Sequence, residues 1–510
     1  MERRRLKFDD WREQYKRKLV SAEEAAQVIK SGDNIFIPSV YWGNVAHAIA
    51  ARHEELRDVR IEIQAPLFDP GWLSPGMEES FKVMVRIFLG PTGREAHDEG
   101  QVSFLPYTNS TWFKIYSDDR PSKQEIDVAL FDVSPPDENG FVTFGGQVWE
   151  RRNYSRRAKT VIAEVDENLI RSHGDTFLHV SEIDYLVDST VPPLPEGDVN
   201  LLVNLISPEK QERARKAITM ANPKALIRFV EAIDDLDQQR LELLLGLDDP
   251  DEASKKIAEH LKTILRDRDT IQLGIGTPSK YLIELGVFDH LNDLSIFSEM
   301  ACPGMGFLVK RGIATGRYAT LHPGKAVFAA LTGMRREEVL WAHDNPLIEQ
   351  YSADYVVNIS NISKNKNMVS INNAVQVDLT GQITCESQFG PRLINGPGGQ
   401  IEFHIGAFFA PGGRAVTLLR STWGDGAVSN IVPFMDQGSL VSIPRVYADF
   451  VVTDWGVAEL LGKTHRERAQ ELIKVAHPDF RPELEIAARL KRRGLLTRAF
   501  VINIFSLALG

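Results

Sequence analysis

Thr270-Ile-Gln-Leu-Gly-Ile-Gly-Thr-Pro278, followed by Ser295-Ile-Phe-Ser-Glu-Met300, is the stretch from which the fold is read. Ile271 to Leu273 is a short apolar run of strand type. Gly274-Ile275-Gly276 is a turn that glycine makes without strain, and it lets the backbone come close to a ligand. Pro278 has the fixed φ of a first helical turn, and Tyr281, Leu282 and Leu285 give the predicted helix an apolar stripe. A second strand, Leu294 to Phe297, ends at Ser298-Glu299-Met300. Ligands of open α/β sheets bind outside the carboxyl ends of strands, so the glycine loop and the carboxylate are expected on one rim. Glu299 is the candidate for the chemistry. The plainer reading makes the loop a tight turn and the glutamate a solvated charge. A dinucleotide fingerprint is incomplete, because its third glycine would fall at Ser279.

The rest of the chain bounds that reading. Its 510 residues exceed one ordinary core, so two domains and an added segment are expected. The composition, 43% hydrophobic and 25% charged, is that of a soluble globular protein. A net charge of -11, with no basic patch carrying interleaved aromatics, argues against a nucleic-acid partner. Cys302 and Cys385 are the two cysteines, which excludes a disulfide framework and suits a reducing, cytoplasmic location. The twelve histidines form no ligand pair of the His-Glu-x-x-His type, so no metal is expected. Met1 to Leu19 has no apolar signal region, and Phe500 to Leu509 is apolar but too short to span a bilayer, so no membrane partner is expected.

Along the chain, residues 11 to 30 read as helix, with Ser21 and Glu24 spaced as a capping box. A turn and a short strand are expected within 31–38, strands at 60–64, 126–133 and 160–165, and a helix at 46–56. The stretch 65–125 is rich in proline and aromatics and follows neither period. Val191-Pro-Pro-Leu-Pro-Glu-Gly197 is stiff and marks a domain boundary. Residues 207–265 are helical in pattern, with Ile257, Leu261 and Ile264 on one face. Tyr355-Val-Val-Asn358, 374–378 and 415–419 repeat the strand-rich layout of 126–165. This faint duplication suggests two related α/β domains with a site in the cleft between them.

Asn395-Gly-Pro-Gly-Gly-Gln400 is a second dense signal. Its glycines leave backbone N–H groups able to face an anion, although composition alone also fits a surface hairpin. It precedes the apolar run 408–410, in a loop–strand–loop order that places it at a sheet rim. Two glycine loops and one carboxylate make a coherent acyl-transfer site, a nucleophile with N–H donors for an oxyanion. A glutamate, with a pKa near 4.3, is ionised at pH 7 without a histidine to activate it. A thiolate leaving group, of thiol pKa roughly 8.5, needs no strong general acid.

Taken in order, Glu299 with Gly274-Ile-Gly276, Asn367-Met-Val-Ser-Ile-Asn372, Gly396-Pro-Gly-Gly-Gln-Ile-Glu-Phe403, Val451-Val-Thr-Asp-Trp-Gly-Val-Ala-Glu-Leu460 and the run Arg466 to Arg481 resemble the acetyl-CoA hydrolase/transferase family of class I CoA-transferases, which includes 4-hydroxybutyrate CoA-transferases. Asp127 to Gly140 and Arg171 to Asp175 carry the likeness into the N-terminal half. The resemblance implies two related CoA-transferase-type (NagB/RpiA-like) α/β domains packed around an interdomain cleft. The expected divisions are 1–197, a helical insertion or linker at 198–250, and 251–510 carrying the nucleophile. It implies Glu299 as nucleophile, with Asn372 and Asp454 as further catalytic residues. Backbone at Gly274, Ile275, Gly276, Gly396, Gly398 and Gly399 would meet the oxyanion and CoA. The partners implied are acyl-CoA and small carboxylates, with coenzyme A as substrate and no tightly bound cofactor, in a homodimer.

Four positions depart from the family pattern. Asp454 stands for a glutamate, Glu402 for an aspartate, and Ala301-Cys-Pro-Gly-Met305 for a polar turn after the nucleophile. The helices of 199–248 read as an added lid, arm or dimer contact. Three activities are consistent with this reading: CoA transfer between a short-chain acyl-CoA and a carboxylate such as acetate, through a glutamyl-CoA thioester; hydrolysis of acyl-CoA by the same glutamate; and noncatalytic binding of CoA or a nucleotide.

Overall fold

The computed structural model describes residues 8 and 10–492, apart from 39, 40, 42, 67, 68, 89, 90, 119, 232, 234–236 and 389, and the apolar tail 500–509 lies outside them. The chain falls into two compact units, one of 1–249 with 293–361 and one of 250–292 with 362–510. Residues 198–249 are therefore compact with the N-terminal segment. So are 293–361, which the sequence placed in the C-terminal domain. Backbone pairing accounts for the latter. His173 and Gly174 pair in parallel with Glu349 and Gln350, and the N–H groups of Val148 and Trp149 both donate to the carbonyl of Ala329 at 3.1 Å.

The first unit is built on a seven-stranded sheet in the spatial order Tyr185–Asp188, Thr160–Val165, Val128–Val133, Asn34–Ile37, Val59–Ile63, Phe81–Val85 and Val102–Phe104. Every neighbouring pair is parallel. Parallel sheets are covered on both faces, so their strands read as continuous apolar runs rather than alternating ones. Val-Ala-Leu-Phe-Asp-Val at 128–133 is buried at all six positions. A second parallel ladder of the same unit runs Ser295–Met300, Ala326–Ala330, Ile348–Gln350, His173–Gly174. The helices from Glu196 to Leu244 bury Leu202, Ala214, Ile218 and Leu241 among themselves. They are anchored to this unit by Lys224, whose ammonium lies 2.6 Å from Ser189 Oγ and 3.5 Å from Asp166.

Five strands of the second unit lie side by side in the order Gly456–Glu459, Phe450–Thr453, Arg414–Leu418, Met368–Asn373 and Thr270–Leu273. All are parallel except the hairpin partner at the edge. The carboxyl ends Leu273, Asn373, Leu418 and Thr453 consequently share one edge. The helix Glu252–Lys262 starts at Asp251, whose side chain accepts the N–H of Ser254 at 2.9 Å, and it buries Ile257 and Leu261 one turn apart.

Several expected elements differ. The capping box at Ser21 and Glu24 is present, but it opens only Ala22–Ala26, and a separate helix covers Trp11–Lys18. Tyr355-Val-Val-Asn358 is not strand; the helix Ala353–Val356 ends within it, since so short an apolar run lacks the length that separates the two periods. Residues after Pro278 form a 3-10 turn, Ser279–Tyr281, rather than a full helix. The second glycine loop leads into a helix, Gln400–Phe409, not a strand. That helix is apolar around most of its circumference, which hides a 3.6-residue period. Among the described residues no helix is long and apolar enough to cross a membrane.

Candidate active site

Glu299 lies inside the strand Ser295–Met300, one residue from its end, and is half-buried while Ser295 to Ser298 are fully buried. The pleat therefore delivers a carboxylate at the point where the strand leaves its core. Asn109 Nδ2 donates to Glu299 Oε1. Asn109 is 1% exposed, and its Oδ1 accepts from Gln64 Nε2 at 3.3 Å. Gln64 follows the strand Val59–Ile63, and its backbone carbonyl accepts the N–H groups of Arg86 and Ile87. Two amides in series thus fix the carboxylate to the seven-stranded sheet. Sequence reasoning assigned neither to the site, because Gln64 reads only as the last residue of an expected strand and Asn109 lies within the stretch without period.

The turn after the nucleophile is held by Glu338. This buried carboxylate accepts N–H groups from Gly304 at 2.9 Å and Gly306 at 2.8 Å, and Gly304 has a left-handed φ of 95°. Cys302 is buried, and burial pushes its thiol up to about 12, so it is no rival nucleophile at neutral pH.

In the second unit the structure brings together the glycine loop 274–276 and Asn372. Asn372 is buried, and its amide is paired reciprocally with that of Gln272 at 3.0 Å in each direction. Its Nδ2 also donates to Ser370 Oγ at 2.8 Å. The asparagine is thereby fixed in one orientation. A Cβ on residue 274 would come within 2.5 Å of Asn372 Oδ1, so glycine is required there by close approach. Gly398 has a left-handed φ of 55°, and Gly399 directly precedes the helix Gln400–Phe409. The second glycine loop therefore sits at the electropositive end of a helix dipole.

Asp454 follows the strand Phe450–Thr453 on the same edge of the second unit. Its two carboxylate oxygens accept from the N–H of Ser421 at 2.7 Å and the hydroxyl of Ser421 at 2.8 Å. Trp455 beside it is 37% exposed, with the Lys256 ammonium 5.3 Å and the Arg481 guanidinium 5.6 Å from its ring centroid. Glu402 is buried on the helix Gln400–Phe409.

Comparison with known proteins follows the same division. Residues 2–195 match the acetyl-CoA hydrolase/transferase N-terminal domain and residues 336–488 the C-terminal domain. Glu299 and the 274–276 loop lie between the matched stretches. Among curated proteins, the chain is 34% identical to the 4-hydroxybutyrate coenzyme A transferase of Clostridium kluyveri, over 93% of this chain and 98% of that protein. It is 28% identical to the butyryl-CoA:acetate CoA-transferase of Anaerostipes caccae, over 93% and 96%. An acetyl-CoA hydrolase of Eremothecium gossypii is more distant, 24% identical over 78% and 73%. Among solved structures, RipA of Yersinia pestis superposes with a TM-score of 0.76 at 25% identity, covering 96% of this chain and all of that one. A 4-hydroxybutyrate CoA-transferase of Porphyromonas gingivalis gives 0.67 at 25%, covering 95% and 100%.

Proposed function

Because the chain belongs to the acetyl-CoA hydrolase/transferase family and carries both of its domains, we propose that this CoA-transferase works through Glu299 by a ping-pong route with a glutamyl-CoA thioester. The observation that carries the reading is the carboxylate of Glu299, presented at a strand end and held by the side-chain amide of Asn109. A carboxylate nucleophile has no proton to give up in the attack and so needs no base beside it.

The chemistry then runs in four attacks. A Glu299 oxygen adds to the thioester carbonyl and CoA leaves as thiolate, giving an acyl-glutamyl anhydride. The thiolate adds to the glutamyl carbonyl and the acyl group departs as its carboxylate, leaving the glutamyl-CoA thioester. The acceptor carboxylate reverses the sequence: it displaces the thiolate from the glutamyl carbonyl, and the thiolate attacks the acceptor's carbonyl to release Glu299. Each addition develops an oxyanion, for which backbone N–H groups at Ile275 and at Gly398 and Gly399 are the proposed donors. Asn372 and Asp454 act as fixed walls, since their polar atoms are already engaged. The substrates proposed are a short-chain acyl-CoA and a small carboxylate such as acetate.

The more distant hydrolase relatives keep a second reading open, in which water resolves the same intermediate. One assay separates the two. Transfer predicts that acetate accelerates consumption of butyryl-CoA with stoichiometric acetyl-CoA formed. Hydrolysis predicts free CoA and butyrate at a rate indifferent to acetate. In both, Glu299→Ala is expected to lose all detectable turnover while keeping the wild-type circular dichroism spectrum. Retained turnover in that variant would remove Glu299 from the mechanism.

A further inference from the structure

The loop 274–279 is gripped from inside. Ser279 Oγ donates to the carbonyl of Gly274, and it lies 3.0 Å from the carbonyl of Gly276. Asn373 Nδ2 donates to the carbonyl of Ile275 at 2.8 Å and to Ser279 Oγ at 2.8 Å, while Asn373 Oδ1 accepts the N–H of Ser279 at 3.2 Å. Three successive carbonyls, those of residues 274, 275 and 276, are thereby turned toward the Asn373–Ser279 pair.

A planar trans peptide points its N–H opposite to its C=O. Fixing the carbonyl of Gly274 therefore fixes the N–H of Ile275, and fixing the carbonyl of Ile275 fixes the N–H of Gly276. Both must point away from the pair. Among the described residues neither N–H meets an acceptor in the chain, and Ile275 is 39% exposed. Two adjacent donors are thus presented outward from a loop that cannot easily turn them. Asn373 also reaches the other glycine loop, since its backbone carbonyl accepts Gln400 Nε2 at 3.1 Å, at the residue that follows Gly399.

We propose that Asn373 is a positioning residue for CoA transfer: with Ser279 it aims the N–H groups of Ile275 and Gly276 as a paired oxyanion donor, and through Gln400 it sets this loop against the loop 396–399. The proposal rests on the transfer reading above. Asn373 touches no reacting atom; it acts through the backbone it holds.

The test is steady-state kinetics of Asn373→Asp, Asn373→Ala and Ser279→Ala beside Glu299→Ala, each with its melting temperature. Asn373→Asp keeps an acceptor for the Ser279 N–H but loses the donor to Ile275, so it isolates the aiming function. The expected result is a fall in kcat of roughly 10²-fold in both Asn373 variants, with KM for acyl-CoA within about threefold of wild type. A role in stability alone would lower the melting temperature and the active fraction but leave kcat per folded molecule unchanged. Wild-type kcat in folded Asn373→Asp, with Glu299→Ala dead, overturns this inference alone. Turnover in Glu299→Ala overturns the transfer reading and this inference with it. If the Asn373 variants do not fold, Ser279→Ala decides: the same selective fall in kcat supports the proposal, and unchanged kcat overturns it.

Discussion

Asp454 is one methylene shorter than the glutamate of the family pattern, and both its oxygens are spent on Ser421. A glutamate at this position cannot keep both bonds from the same backbone, so its carboxylate must swing away from Ser421 and occupy space that the aspartate leaves open. If that space borders the acyl group, as the family pattern implies, Asp454→Glu should shift preference toward the smaller acyl chain. The expected change is about tenfold in the ratio of kcat/KM for acetyl-CoA to that for butyryl-CoA or hydroxybutyryl-CoA, the usual worth of one methylene in a pocket. An unchanged ratio across the three substrates would show that this position does not set specificity. Asn372 teaches a related lesson. Its place was legible in the sequence, but its amide is consumed by Gln272 and Ser370, a fact that depends on two neighbouring strands and cannot be read along one of them. Asn109 shows the opposite case. It donates directly to Glu299, yet nothing local distinguishes it from the other polar residues of an aperiodic stretch.

At the scale of elements, the strands were legible where burial on both faces leaves a mostly apolar run, as in Val128–Val133 and Thr160–Val165, each with one carboxylate next to its last residue. The Gly-x-Gly turn after Thr270–Leu273 was legible because close approach to Asn372 tolerates no side chain. The helix Gln400–Phe409 was not, because its buried face takes in Glu402, Phe403, His404, Gly406 and Ala407 and so leaves no polar stripe to mark the period. The strand Phe450–Thr453 carries a testable electrostatic consequence at its entry. Asp449 is 4% exposed, and although it accepts the N–H of Ala415 at 2.9 Å, burial, with Glu459 adding to it, raises its carboxyl to about 6. An unfolded aspartate titrates near 3.9. Between those values the folded chain binds more protons than the unfolded one, so this group contributes stability that is fully present below about pH 4 and lost as pH rises through about 6. Asp449→Asn, which keeps an acceptor for Ala415, is expected to raise unfolding stability at pH 7 by roughly 2–3 kcal/mol and to flatten the decline between pH 4 and 6. Denaturant titrations at pH 4, 5.5 and 7 check this; a variant with the wild-type pH dependence would place the titration elsewhere.

At the scale of the molecule, the two-part α/β organisation was legible from length, from the paired strand-rich regions and from the ordered series of motifs. The boundaries were less so, because chain order misleads where segments 293–361 and 173–174 share a parallel ladder. A proline-rich run such as 191–197 marks stiffness, but its neighbours on both sides belong to one compact unit. The proposed covalent passage of CoA through Glu299 leaves a chemical record. Enzyme incubated with acyl-CoA and no acceptor should accumulate the glutamyl thioester, which borohydride reduces to an alcohol and thereby inactivates. The measurement is peptide mass spectrometry after that treatment. The account predicts loss of activity that depends on acyl-CoA, with a single modified residue, Glu299 converted to its primary alcohol. Full activity after borohydride, or reduction at any other carboxylate, would contradict it.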